Sequence, residues 1–105
     1  EFNPVPIKPG MVMSNEPGLY REGAYGIRTE NMIVCIEKIK TAFGRFLRFE
    51  TLTLCPIDIS LIDKKLLTEK EIDWLNSYHQ KVKEELKPLL PKELQVFLEE
   101  LTQPV

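Results

Sequence analysis

The sequence predicts an α+β chain, with antiparallel strands in its first half and a helical hairpin in its second. Three observations carry this. Short apolar runs bounded by turn formers fill the first 55 residues; Pro56 marks a change of character; and after it apolar residues recur at three- and four-residue steps. The length of 105 residues, with 43% hydrophobic residues and five Phe, three Tyr and one Trp, supports a modest core and no second full-sized domain.

Residues 11–16 (Met-Val-Met-Ser-Asn-Glu) and 31–37 (Asn-Met-Ile-Val-Cys-Ile-Glu) suit buried, paired strands. The segment between them, punctuated by Pro17-Gly18, Gly23 and Gly26, reads as a long hairpin loop. Strand parity then puts Ser14 and Glu16 on one face, and Arg28, Glu30 and Met32 on one face of the partner. A second strand pair is expected at 45–50 and 51–55, after a turn at Gly44.

Beyond Pro56, Thr68-Glu69-Lys70-Glu71 has the pattern of a capping box, with Leu67 placed to staple onto Ile72. Ile72, Leu75, His79, Val82 and Leu86 give the helix one apolar stripe, and it should stop before Pro88. A second helix follows Pro91, with Leu94, Phe97, Leu98 and Leu101 as its apolar face. The opening residues Glu1 to Gly10 form a Pro-punctuated connector and read like the middle of something longer, so a fragment is expected.

Charge narrows the partners. The formal net charge of −2 is spread evenly, without a basic stripe to track phosphates or a Gly-rich phosphate loop, which argues against nucleic acids and nucleotides. No apolar run approaches the roughly 20 residues that span a bilayer, so no membrane role is expected. Cys35 and Cys55 lie in apolar stretches far from any CxxC spacing and read as buried, reduced thiols, which suits the cytoplasm.

The residues that point to chemistry are Glu16 and Glu30. Two carboxylates on one face of a strand pair repel unless a cation or protons sit between them. They are half a dinuclear hydrolytic site, which needs several anionic bridges and usually an imidazole. Equally, they can be solvated or paired with Arg28. His79, the one imidazole, sits mid-stripe on the helix and reads as a packed, hydrogen-bonded histidine rather than a ligand or base.

The stretch Lys8-Pro9-Gly10-Met11-Val12-Met13-Ser14-Asn15-Glu16-Pro17-Gly18-Leu19-Tyr20, followed by Gly26-Ile27-Arg28-Thr29-Glu30-Asn31, resembles the last two metal-ligand motifs of the Xaa-Pro aminopeptidases, metallopeptidases of the pita-bread fold. Phe49 to Asp58, Leu61-Ile62-Asp63 and Asp73 to His79 resemble the C-terminal extension of the long, cytosolic type of that family. The resemblance implies that residues 1–55 are the C-terminal part of the pita-bread domain and 56–105 an accessory extension that acts in dimerisation. It implies a site for two divalent ions, manganese with zinc or cobalt as alternatives, in which Glu16 is a single-metal ligand and proton acceptor and Glu30 bridges both ions. Tyr20 and Arg28 match the network behind those ligands, and the substrates implied are peptides with proline in second position. Two of five ligands are present, so the chain alone is expected to be inactive. The competing expectation is a non-catalytic assembly module.

Overall fold

The computed structural model describes residues 3–105. It has two compact units, one running to Thr53 and the other spanning Leu54–Val105.

The first unit is built from five strands: β1 (Val12–Asn15), β2 (Gly18–Arg21), β3 (Tyr25–Arg28), β4 (Asn31–Thr41) and β5 (Gly44–Thr51). β1, β4 and β5 form a three-stranded antiparallel sheet with β4 in the centre, and β2 and β3 form a separate two-stranded ribbon. The expected loop between β1 and β4 is therefore itself a hairpin. It closes because Gly23 takes φ +70, which L side chains rarely adopt, letting the Ala24 amide donate to the Arg21 carbonyl at 3.0 Å.

The expected pairing of 45–50 with 51–55 is also corrected. β5 is one strand, and its partner is β4, in a register running from Ile33↔Thr51 to Thr41↔Gly44. Residues 41–44 are the real turn, where Thr41 Oγ1 accepts from the Phe43 amide at 3.1 Å and Gly44 has φ +139. A bulge between Glu37 and Ile39 shifts the register. Cys35 is fully buried, as expected.

In the second unit the capping box forms as the sequence demands. Thr68 Oγ1 accepts from the Glu71 amide at 3.4 Å and the Glu71 carboxylate accepts from the Thr68 amide at 2.8 Å. The Thr68 amide most, and then the Thr68 hydroxyl, which donates to Glu71 Oε2 at 2.7 Å, hold the Glu71 carboxyl below its ordinary pKa. Helix α1 follows (Glu69–Leu86), a 3-10 turn covers Lys87–Leu89, and α2 spans Lys92–Leu101.

Leu75, Tyr78, His79 and Val82, at steps of three, one and three, are the buried stripe of α1. Tyr78 and Val82 join Leu98 of α2 in a core to which Leu54, Ile57, Leu86 and Leu90 add partial cover. Of the four apolar residues expected on α2, only Leu98 is buried; Leu94, Phe97 and Leu101 are exposed. Cys55 corrects a further expectation, being exposed rather than buried, with its thiol 3.7 Å from the Pro56 carbonyl oxygen. No helix among the described residues is long and apolar enough to cross a membrane.

His79 is packed as the sequence suggested, only 1% exposed. Its Nε2 accepts the Ile57 amide at 3.0 Å, which requires that nitrogen to be unprotonated, and burial pushes the imidazole pKa down. Its Nδ1 is buried without a partner among the described residues. The preceding residue, Tyr78, donates its hydroxyl to the Cys55 carbonyl at 2.7 Å and accepts the Cys55 amide at 3.4 Å.

Candidate functional site

The site grows out of the end of the β1–β4 pairing. The register places Ser14 opposite Met32 and Asn15 opposite Asn31. The next positions outward are Glu16 and Glu30, so alternation puts Ser14, Glu16, Glu30 and Met32 on one face. The parity expected for Ser14 with Glu16 and for Glu30 with Met32 agrees with this register, but both glutamates lie just past the strand ends, and Arg28 belongs not to the partner strand but to β3 of the separate ribbon. Pro17 begins the turn into β2, and its carbonyl accepts the Thr29 amide at 3.2 Å, tying the start of the ribbon to its end.

Arg28, the last residue of β3, reaches both carboxylates. Its Nη1 lies 3.3 Å from Glu16 Oε2 and its Nε 3.2 Å from Glu30 Oε2. The mutual repulsion of the two glutamates is thus relieved by a guanidinium cation. The charged form of Arg28 is reinforced in return, its pKa raised first by Glu30, then by Tyr20, through charge and a hydrogen bond to the phenolic oxygen, and then by Glu16. All three ionised side chains remain about half exposed, at 47% for Arg28, 44% for Glu16 and 43% for Glu30. Solvent therefore screens these pairs, and they organise the site more than they stabilise the fold.

Ser14 is a member that sequence reasoning placed on the right face without giving it a role. Its hydroxyl donates to Glu16 Oε1 at 2.6 Å, so Glu16 is held at one oxygen by Ser14 and at the other by Arg28. The i, i+2 spacing of Ser14 and Glu16 was the available signal. His79 and the two cysteines belong to no such constellation, and among the described residues no group of three or more His, Cys, Asp or Glu could hold a metal ion.

The donor chemistry at Glu16 and Glu30 suits a hard divalent cation. Carboxylate oxygens are its preferred ligands, these two face the same point, and a positive charge already occupies their midst. The pair fits as part of a ligand set.

Comparison with known proteins bears out the family resemblance carried by the motifs. Residues 1–37 match the model of metallopeptidase family M24, and residues 45–105 match the C-terminal region of peptidase M24. The chain is 49% identical over 92 residues to a probable Xaa-Pro aminopeptidase P of Coprinopsis cinerea, an alignment covering 85% of this chain and 15% of that one. It is 46% identical over 91 residues to aminopeptidase P2 of Arabidopsis thaliana, covering 84% and 13%. Among solved structures it is similar to an X-prolyl aminopeptidase of Caenorhabditis elegans, a cytosolic enzyme with a di-nuclear active site. The TM-score is 0.80 at 37% identity, over 94% of this chain and 17% of that one. The chain thus spans about 15% of the length of relatives such as the Coprinopsis protein. It belongs to metallopeptidase family M24, with the antiparallel strands and following helices of the C-terminal part of a pita-bread fold, and corresponds to the C-terminal portion of aminopeptidase P.

Proposed function

We propose that this chain supplies two carboxylates, Glu16 and Glu30, to the di-nuclear centre of an enzyme that removes an N-terminal residue preceding proline. The observation that carries the reading is the convergence of the two glutamates on one guanidinium, in motifs that resemble the family's metal-ligand motifs and with the stretch around them matching the model of metallopeptidase family M24. Divalent cations, when bound, would acidify water and polarise the scissile carbonyl. The chain's own residues do the rest of what is assigned here. Glu16 would help to hold one cation and serve as proton acceptor, its carboxylate oriented by Ser14. Glu30 would be a ligand shared by both cations. Arg28 and Tyr20 orient these carboxylates, which in metal sites sustains both affinity and activity.

Manganese is the proposed metal, with zinc or cobalt as alternatives, and the cytoplasm the proposed location. The remaining ligands come from polypeptide outside this sequence, so the chain alone is inactive. Residues 1–55 form the incomplete catalytic part and 56–105 the accessory extension, which we assign to dimerisation. The exposed Leu94, Phe97 and Leu101 of α2 favour that use.

Calorimetry with manganese tests the site, on this polypeptide alone and mixed with a chain bearing the upstream part of the protein. Weak or absent binding alone, with Xaa-Pro cleavage recovered on mixing and lost in Glu16→Ala and Glu30→Ala, is the expected result. Persistent dimers without any recovered cleavage favour a non-catalytic assembly module instead. A strictly monomeric chain by light scattering removes the dimerisation role.

A further inference from the structure

The β2–β3 ribbon carries Gly18, Tyr20, Gly26 and Arg28 on one face. The register pairs Gly18 with Arg28 and Tyr20 with Gly26, so the two glycines occupy one diagonal of a four-residue square and the tyrosine and arginine the other. Neither glycine has a positive φ; the glycines that do are Gly10, Gly23 and Gly44. The backbone at positions 18 and 26 is therefore open to any L residue, and another reason must exclude a side chain there.

That reason is the Tyr20 ring. A Cβ at Gly26 would lie 2.8 Å from Tyr20 Cδ1, and one at Gly18 would lie 2.7 Å from the Tyr20 hydroxyl oxygen and 2.8 Å from Cε2. The ring lies flat along the diagonal, with its base over Gly26 and its hydroxyl over Gly18, beside Arg28. Among the described residues Tyr20 stays 65% exposed, so within this unit its position is set by how closely the ring can approach the backbone below.

We infer that Gly18 and Gly26 are positioning residues for the reaction: their missing side chains form the floor that lays Tyr20 against Arg28, and through Arg28 against Glu16 and Glu30. The inference rests on the function proposed above. A methyl group at either position displaces a ring that is exposed among the described residues, so this unit's own packing loses little. The hydroxyl, however, leaves the guanidinium that it helps to orient. A displacement of about 1 Å in such a network can cost as much as 100-fold in rate, and loss of an outer partner of a metal ligand costs roughly 10- to 100-fold in affinity or activity.

The test is a double-mutant cycle in the full-length protein, read by kcat/KM on a peptide with proline in second position, by manganese affinity in calorimetry, and by the unfolding midpoint. Gly26→Ala and Gly18→Ala should each lower kcat/KM and manganese affinity about 10-fold or more, with an unchanged midpoint. In a Tyr20→Ala background, where no ring remains to displace, the same substitutions should cost nothing further. Losses of equal size in both backgrounds, or Gly→Ala variants with full activity and affinity, overturn the positioning role. Glu30→Ala separates this outcome from failure of the parent reading. If Glu30→Ala leaves manganese binding intact, the metal site itself is misassigned; if it abolishes binding while the glycine effects ignore Tyr20, only the floor is wrong.

Discussion

Glu16 and Glu30, fourteen residues apart in sequence, are salt-bridged to the same side chain, Arg28, at 3.3 and 3.2 Å. A guanidinium in that place holds both carboxylates toward one point. Arg28→Met in the full-length protein should therefore bind manganese about 10-fold more weakly, since an outer partner that orients metal ligands sustains their affinity. Calorimetry on the full-length protein and this variant measures it, and equal affinities would mean that Arg28 does not orient the carboxylates. The unfolding midpoint should not move, because the pairs are solvent-screened.

His79 gives the second unit a dependence on pH. Its pKa in the folded chain lies below the ordinary imidazole value, so the unfolded chain binds more protons between the two values and stability rises with pH across that window. Read downward, stability is lost as pH falls below about 6.5, and the loss ends at the depressed folded value. Urea midpoints between pH 8 and 5 should fall on the acid side. His79→Gln, whose amide oxygen can still accept the Ile57 amide, should flatten that fall.

Burial separates neighbouring residues of α2. Leu98 is 5% exposed and packs on Tyr78 and Val82, whereas Phe97 beside it is 56% exposed. Leu98→Ala should cost about 2–5 kcal/mol, and Phe97→Ala close to nothing in a monomer. Denaturant unfolding of the two variants compares them directly. A costly Phe97→Ala at high protein concentration that becomes harmless on dilution would report self-association through this face.

The start of α1 offers a local check. Thr68→Ala removes the acceptor for the Glu71 amide and should cost roughly 1 kcal/mol, while Thr68→Ser should recover most of it. Thermal unfolding monitored by circular dichroism is sufficient. No difference between the two variants would mean that the first turn is held by other contacts.

The sequence was most legible where a short-range rule had one solution. The capping box at Thr68 and Glu71, the buried stripe of α1 and the shared face of Glu16 and Glu30 all follow from spacings of two, three or four residues. The failures came where the partner was distant or the pattern ambiguous. Gly18, Gly23 and Gly26 look alike in sequence as loop punctuation, yet only Gly23 makes a turn; the others lie in strands beneath an aromatic ring. Residues 45–55 alternate like two strands, but periodicity could not say that β5 pairs backward with β4. Cys55 sits in an apolar stretch, and its neighbours Leu54 and Pro56 are half-buried while it is itself exposed. Ser14 was visible as a face and silent as a hydrogen-bond donor.

The segment Cys55-Pro56-Ile57 explains one of those failures. It has the composition of a strand, and its backbone wants a strand's neighbours, but it takes them from a helix: the Tyr78 hydroxyl serves Cys55 at both amide and carbonyl, and the His79 ring serves the Ile57 amide. Pro56, between them, has no amide to satisfy. Two consecutive side chains of α1 thus stand in for an absent ladder. Strand propensity in this chain can be spent on side chains as well as on another backbone, so a point substitution at position 78 or 79 would act on the path of residues 55–57 as a broken ladder rung would, far along the sequence from where it was made.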